Sequence, residues 1–370
     1  MTTRAPRVAI VAASLDILGG QGVQASSLVD ALRADGRDVT FMPVNPRFPR
    51  PLGALRQWRG VRTVVNQGLY VPGLARLAQV DVAHIFSAAY ASFLLAPLPA
   101  MLLARAFDKQ VVLHYHSGEA DDHLANWGAL VHPWLRLAHH IVVPSEYLRG
   151  VFARYGHHAR VIPNVVDLSR FVYRERKPLG PRLLSTRNLE PIYRVDVMIR
   201  AYARLKPLVP DATLTIAGYG SEEPRLRRLV DEARLADVRF VGKVDPAAMP
   251  RLCDEADIFL NASVVDNQPV SILEAFASGL PVISTPTGDI PAMVRHQQTG
   301  LLVPPGEPDA MAQAVIGLLA QPERARSFAK QAHHTLGRHT WPAVRDAWAD
   351  VYRRSGRPSA IDQWNTHQAH

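Results

Sequence analysis

The stretch Ser263-Val-Val-Asp-Asn-Gln-Pro-Val-Ser-Ile-Leu-Glu-Ala-Phe-Ala-Ser-Gly-Leu-Pro-Val-Ile-Ser284 decides how the chain is read. It follows a strand-like run, Ala256-Asp-Ile-Phe-Leu-Asn261, and passes Pro269. A helical pattern then runs from about Val270 to Ser278, stops at Gly279 and gives way to an apolar strand at Pro281–Ser284. Strand, loop, helix, glycine stop and strand make a βαβ unit. Its ligand-facing end is the loop before the helix, where unpaired N–H groups and the positive end of the helix dipole favour anions. Asp266 lies in that loop, and Glu274 follows eight residues on, inside the helix. An acid beside Ala275, Phe276 and Ala277 is costly to bury without a partner. From this segment alone, a capping Asp with a solvated Glu reads as well as a functional pair.

Outward from this unit, strands are expected at Arg182–Ser185, Thr213–Ala217, Val238–Val241, Asp257–Asn261, Pro281–Ser284 and Gly300–Val303, with helices between them. That alternation predicts a doubly wound α/β domain. The N-terminal half has the same rhythm: strands at Val8–Ala13, Val39–Pro43, Asp81–Phe86, Gln110–Tyr115 and His140–Pro144, with helices at about Val23–Asp35 and Tyr147–Tyr155. The proline-containing run Arg174–Pro181 reads as the linker. The expected division is 1–172, 173–340, a last helix from Trp341 to about Arg354, and a polar, disordered tail over 355–370. Gly19-Gly20 and Gly218-Tyr-Gly220 each follow a strand, where glycine lets backbone approach an anion, but neither completes a G-x-G-x-x-G fingerprint.

The chain has 370 residues, 48% hydrophobic and 20% charged, with a formal net charge of +9. That length suits two domains with separate cores, and the charge suits acidic partners such as nucleotide phosphates or anionic lipid. A lone cysteine, Cys253, excludes an intrachain disulfide. Ala88–Ala104 is uncharged but barely of spanning length and carries Pro97 and Pro99, so a buried or surface helix is expected. Six arginines (47, 50, 56, 59, 62 and 76) and no acid lie between Arg47 and Arg76, with Phe48, Trp58 and Tyr70 among them. A solvated basic face and an anionic-membrane or acceptor patch at Arg56, Trp58, Arg59 and Arg62 both fit. Nucleic acid is not expected, because no binding motif accompanies the charge.

His114-Tyr-His-Ser-Gly-Glu-Ala-Asp-Asp-His123 is a dense polar cluster at the C-terminal end of a strand, where open α/β sheets place ligands. The His-x-His start suggests metal, but Gly118 and Glu119 stand where the next ligands should follow. A hydrogen-bonding or proton-relaying histidine fits better.

In their order, these pieces resemble the GT-B glycosyltransferases, in particular the retaining, nucleotide-sugar-dependent family 4, over nearly the whole chain. The carriers are Gly19-Gly20, Ile162-Pro-Asn-Val-Val-Asp-Leu-Ser-Arg-Phe171, Ile216-Ala-Gly-Tyr-Gly220, Asp266 to Glu274 with Ala275–Val282, Thr287-Gly-Asp-Ile-Pro291 and Thr299-Gly-Leu-Leu-Val303. The resemblance implies two Rossmann-like domains facing a cleft, with the donor on the C-terminal domain, the acceptor on the N-terminal one, and the last helix crossing back.

It also implies site roles. Glu274 would accept from the donor ribose, Asp266 would lie against the sugar, and Arg187 would hold the diphosphate and stabilise it as it leaves. Asn267, Val270, Ser271, Gly218, Gly19 and Gly20 would complete the donor site. His116, with His114 as fallback, would stand near the sugar or acceptor. Asp266 departs from the family's Glu. The lysine five residues after the arginine is missing, which leaves Arg194 as the candidate second cation. The expected activity is retaining transfer from an NDP-sugar to an acceptor hydroxyl in cell-envelope glycan synthesis, without metal or tightly bound cofactor. The expected place is cytoplasmic, with peripheral contact at the inner membrane face. The rivals are another GT-B enzyme, an epimerase or phosphorylase, and a silent nucleotide-sugar- or membrane-binding module.

Overall fold

The computed structural model describes residues 5–14, 20–48, 58–87 and 89–353. Gly19, Arg56 and the tail over 355–370 lie outside these described residues. Two parallel sheets organise the chain. The first holds β1 (Val8–Ala12), β2 (Val39–Pro43), β3 (Val82–Ser87), β4 (Gln110–Tyr115), β5 (His140–Val143) and β6 (Arg160–Val161), in the order β2-β1-β3-β4-β5-β6. The second holds β7 (Arg182–Ser185), β8 (Thr213–Ala217), β9 (Val238–Gly242), β10 (Ile258–Asn261), β11 (Val282–Ser284) and β12 (Leu301–Leu302), in the order β12-β11-β10-β7-β8-β9.

The helices of the N-terminal half are α1 (Gly20–Ala34), α2 (Arg59–Gly73), α3 (Ala91–Leu95), α4 (Pro97–Ala106), α5 (Ala120–Asn126), α6 (Gly128–Leu135) and α7 (Glu146–Arg154). Those of the C-terminal half are α8 (Val195–Leu205), α9 (Glu223–Glu232), α10 (Met249–Glu255), α11 (Val270–Ala277), α12 (Ile290–Met293), α13 (Pro308–Ala320) and α14 (Pro322–His334). The last helix, α15 (Trp341–Tyr352), returns to the first sheet.

Strands buried on both faces need apolar residues throughout, and all five residues of β1 are buried. Ala9 and Val11 face a core containing Leu77, Phe93 and Met101. Val8, Ile10 and Ala12 face α1 and α15 through Leu28, Val29, Val344 and Trp348. The crossing helix is also tied by polar contacts. Gln110 Nε2 donates to the Val351 carbonyl at 2.7 Å, and the Tyr352 hydroxyl lies 2.7 Å from His84 Nδ1. In the second sheet, Leu183, Ile258 and Leu260 pack under α8 and α13, while Leu184, Phe259 and Val282 pack under α11.

The helical segment expected over Ala88–Ala104 divides in two. Its break is at Ala96, because Pro97 has no N–H to donate and restricts the residue before it. No helix among the described residues is long and apolar enough to cross a membrane. Helix α1 begins at Gly20, earlier than the apolar pattern from Val23 suggests, so the glycine lies in the first turn itself.

Candidate active site

In each sheet the strand order reverses beside its first strand, and crevices at such switch points collect the loops leaving the C-terminal strand ends. β7 and β10 are hydrogen-bonded neighbours, with Leu183 opposite Ile258 and Leu184 opposite Phe259. Arg187 follows β7 and Asp266 follows β10, so residues 79 apart in sequence are brought together by sheet topology. Arg187 Nη2 donates to Asp266 Oδ2 at 2.6 Å and Nη1 to Ser271 Oγ at 3.0 Å. The guanidinium also stacks 4.2 Å from the centre of the Tyr193 ring. Both ionic side chains are 10% exposed, so their mutual attraction offsets a real desolvation cost. Gly218 makes this loop possible: a Cβ there would lie 2.1 Å from the Arg187 carbonyl oxygen.

These residues line a cleft of about 380 Å³ between the two sheets. The C-terminal wall includes Arg187, Gly218, Asp266, Asn267, Val270, Ser271 and Glu274; Gly20, Gln21, Ser87 and His116 are on the N-terminal wall. Gln21 Nε2 donates to the Ser87 carbonyl at 2.9 Å, which pins the start of α1 to the end of β3. Among the described residues, a Cβ at Gly20 would meet no atom within 4 Å, and Gly20 lines the cleft.

Glu274 is partly buried on α11, and burial raises its carboxyl to about 7 even though Arg170 and Arg187 pull it down. A group poised there exchanges its proton near neutrality and accepts hydrogen bonds best when ionised. His116 is stacked on Phe86, and burial lowers it to about 3. It is therefore a neutral hydrogen-bonding group, not a cation. His114 lies behind the wall, buried, with Nδ1 3.1 Å from His84 Nε2. His123 is also buried, 2.8 Å from the Tyr115 hydroxyl. Of the three, His116 is the one that lines the cleft.

Among the described residues, Arg187 Nε, Asn267 Nδ2, Thr186 Oγ1 and His116 Nε2 are buried without a hydrogen-bond partner, and all four residues line this cleft. Buried polar atoms are paired as a rule, so several orphans around one cavity mark where a polar ligand sits.

One expected member does not reach the cleft. Arg194 adopts a left-handed backbone conformation (φ 46°), and its guanidinium pairs with Asp196 at 3.1 Å, away from the lining. The second cation lining it is instead Lys243, just after β9, with Nζ 6.0 Å from the centre of the Tyr219 ring. Its place beyond a strand's C-terminal end was the signal that counting from Arg187 overlooked. Ser145, Asn164 and Gln268 were missed as well. The Ser145 hydroxyl donates to Asn267 Oδ1, and the Asn164 backbone N–H donates to Gln268 Oε1 at 2.7 Å, fastening the Asp266 loop to the N-terminal half. Among the described residues, no group of three or more His, Cys, Asp or Glu side chains could hold a metal ion. Trp58 and Arg62 lie outside the cleft lining, exposed on and beside α2, together with Val61 and Val64. Arg59 is the first residue of that helix.

Comparison with known proteins bears on the same residues. A family model described as Glycosyltransferase Family 4 matches residues 18–170, and one described as Glycosyl transferases group 1 matches residues 180–321. A glycogen synthase of Mycobacterium tuberculosis is 32% identical over 279 residues, covering 70% of this chain and 66% of that protein. A phosphatidyl-myo-inositol mannosyltransferase of Mycolicibacterium smegmatis is 24% identical over 359 residues, 92% of this chain and 91% of that one. Among solved structures, a sucrose-phosphate synthase from Thermosynechococcus elongatus superposes with a TM-score of 0.77 at 22% identity, over 94% of this chain and 98% of that one. Anabaena HepE in complex with UDP-glucose superposes with a TM-score of 0.73 at 18% identity, over 94% and 99%.

Proposed function

The chain belongs to the group 1, family 4 glycosyltransferases, a membership carried by both halves, and from that premise we propose that it moves a sugar from a nucleoside diphosphate sugar to an acceptor hydroxyl in glycan synthesis. The observation that carries this reading is the convergence of Arg187, Asp266, Ser271 and Glu274 on one cleft whose walls hold unpartnered polar atoms. Arg187 supplies a fixed positive charge where the departing diphosphate becomes more negative, and such preorganised charge lowers the barrier directly. Its Nε is still free to donate. Glu274 is suited to receive ribose hydroxyls and Asp266 to receive those of the sugar; the N–H groups of Val270 and Ser271, with those at Gly20, suit anionic oxygens.

In the transfer, the acceptor oxygen bonds to the anomeric carbon while the bond from that carbon to the phosphate oxygen breaks. The bonding pair leaves with the diphosphate, and the acceptor's proton passes to a phosphate oxygen. Asp266 and Glu274 belong to one βα unit on one wall, which argues against their flanking the scissile bond as a glycosidase pair. Attack on the same face with retention is the reading this supports, and transfer without a metal is proposed with it. Lys243 takes the role of second cation in place of Arg194. Contact with an anionic membrane at the cytoplasmic face is supported by exposed Trp58, Val61 and Val64 beside Arg62.

The decisive experiment is a panel of UDP-, GDP- and ADP-sugars read by thermal shift, followed by transfer assays with and without chelator. A donor that binds only the native state raises the melting temperature. No shift with any nucleotide sugar refutes the transferase reading, and activity lost to chelator but restored by Mg²⁺ or Mn²⁺ refutes metal independence. Liposome flotation that is unchanged when Arg62 and Trp58 are both replaced by Ser refutes the membrane contact.

A further inference from the structure

Glu119 has no role in the chemistry described so far, yet it lines the cleft on the N-terminal wall, opposite the Arg187 side. Its position is fixed by a close contact between the halves. A Cβ on Gly118 would lie 2.7 Å from both the carbonyl carbon and oxygen of Asp266, so the 116–119 loop presses directly on the Asp266 loop. Glu119 is the next residue; burial raises the pKa of Tyr193 on the far wall, and the charges of Asp266 and then Glu119 add to that rise. The carboxylate accepts no protein hydrogen bond among the described residues, and burial, then Asp122, holds its pKa above the ordinary value. A partly desolvated carboxylate without a donor is costly unless something from outside supplies one.

The surroundings indicate what that donor is. His116, neutral and with Nε2 unpartnered, and the hydroxyl-bearing Ser117 line the same wall. Beside them Tyr90 is held at φ 55° and ψ −138°, a strained conformation for a non-glycine residue. Its hydroxyl donates to Asp122 Oδ2 at 2.6 Å, and its ring stands edge-on to Trp127 at 5.9 Å. Glu119, the neutral His116 ring and the Ser117 hydroxyl, all lining the cleft, suit the hydroxyls of a neutral sugar ring. A phosphate monoester on that ring would meet the negative charge of Glu119.

Resting on the transferase reading, we infer that Glu119 is the acceptor-specificity residue: it receives hydroxyls of a neutral, unphosphorylated sugar ring whose attacking oxygen is thereby aimed across the cleft. It orients the acceptor and does not take its proton, which goes to the departing diphosphate.

The test uses the full-length protein with the nucleotide sugar that gives the largest thermal shift. Acceptors are p-nitrophenyl glycosides of glucose, galactose, mannose and N-acetylglucosamine, set against glucose 6-phosphate and inositol phosphate. The wild type is expected to use a neutral glycoside in preference to the phosphorylated compounds. Glu119→Gln should lower acceptor kcat/KM by about 10- to 100-fold, the worth of hydrogen bonds to a charged group. Donor affinity, donor hydrolysis by water and melting temperature should stay as in the wild type. Glu119→Lys should move preference toward glucose 6-phosphate. Wild-type preference for the phosphorylated acceptors, no transfer to any neutral glycoside, or unchanged acceptor kinetics in Glu119→Gln would overturn the inference while leaving donor binding intact. Failure of every nucleotide sugar to bind would instead remove the transferase reading, and this inference with it.

Discussion

Glu274 offers the sharpest measurement, because its proton links stability to donor binding with opposite requirements. Burial raises the carboxyl from 4.5 to about 7, so the native state holds this proton more tightly than the unfolded chain does. The sign follows: the protonated native form gives full stability below about pH 4.5, and stability is lost as pH rises through about 7. At ~1.4 kcal/mol per unit, the shift is worth ~3 kcal/mol at most. Glu274→Gln keeps the shape and removes the charge, so it should match the wild type near pH 4.5 and exceed its stability by ~2–3 kcal/mol at pH 8. Donor binding should run the other way. Ribose hydroxyls donate to the ionised carboxylate, a bond worth ~1.5–3 kcal/mol, so the variant should bind about 10- to 100-fold more weakly at pH 8. Below about pH 7 the wild type should lose donor affinity, approaching tenfold per unit, and converge on a nearly flat variant. A nucleotide sugar is the right ligand, since its diphosphate lacks the monoester proton that titrates near pH ~6. His84 and His116, lowered to about 3, stay neutral through this window. Asp289 and Glu119 are also raised, but they are common to both proteins and cancel in the difference. Chemical denaturation and isothermal titration from pH 5 to 8 provide both curves. Equal stability at pH 8, or parallel donor affinities across the range, would show that Glu274 neither carries the buried charge nor meets the donor.

Asp266→Asn leaves Arg187 without its ionic partner in a nearly dry site. It should cost ~3 kcal/mol without ligand, and pyrophosphate should restore much of this, since the anion replaces the lost carboxylate; a melting curve that pyrophosphate does not move would contradict that account. Gly118→Ala places a Cβ 2.7 Å from the Asp266 backbone. It should raise donor KM several-fold and open the cleft by small-angle scattering, whereas unchanged KM and dimensions would mean the two loops part freely. Arg176, between β6 and β7, is buried and donates to the carbonyls of Arg174, Cys253, Ala256 and Ser278. Arg176→Met should therefore lower stability by ~3 kcal/mol with donor KM unchanged, and a selective loss of donor affinity would point to a role in the site.

The strands were the most legible part of the fold. β2, β4, β7 and β8 have the bounds expected of them, because each centres on apolar or β-branched residues that suit a parallel sheet covered by helices. The Asp266 loop and α11 were legible for a different reason, since Pro269 and Gly279 punctuate the helix at both ends. Spacing failed at Arg194. Counting places a cation near the missing lysine, but Asp196 lies two residues on, and the nearer partner captures the side chain. Glu119 reads from spacing only as a vacant metal position, because the approach of its neighbour Gly118 to Asp266 crosses between halves that no sequence interval connects. The Arg187–Asp266 pair was likewise invisible as a contact until strand order made β7 the neighbour of β10.

That pair also qualifies what a net charge of +9 says about partners. The excess of cations suggests an anion-binding trough, yet the cleft does not hold one. Its central arginine is already bonded to a carboxylate, and another acid is set near neutrality beside it. In the proposed donor complex a diphosphate meets Arg187 through its unpartnered Nε and also competes with Asp266 for Nη2, so that Asp266 turns to the sugar hydroxyls. The salt dependence of donor binding should therefore be shallow, because charge is rearranged within a shielded site and not neutralised from bulk solution. A nucleotide-sugar Kd that changes less than about threefold between 0.05 and 0.5 M NaCl fits this exchange, and a loss of tenfold or more would mean that exposed cations do the binding.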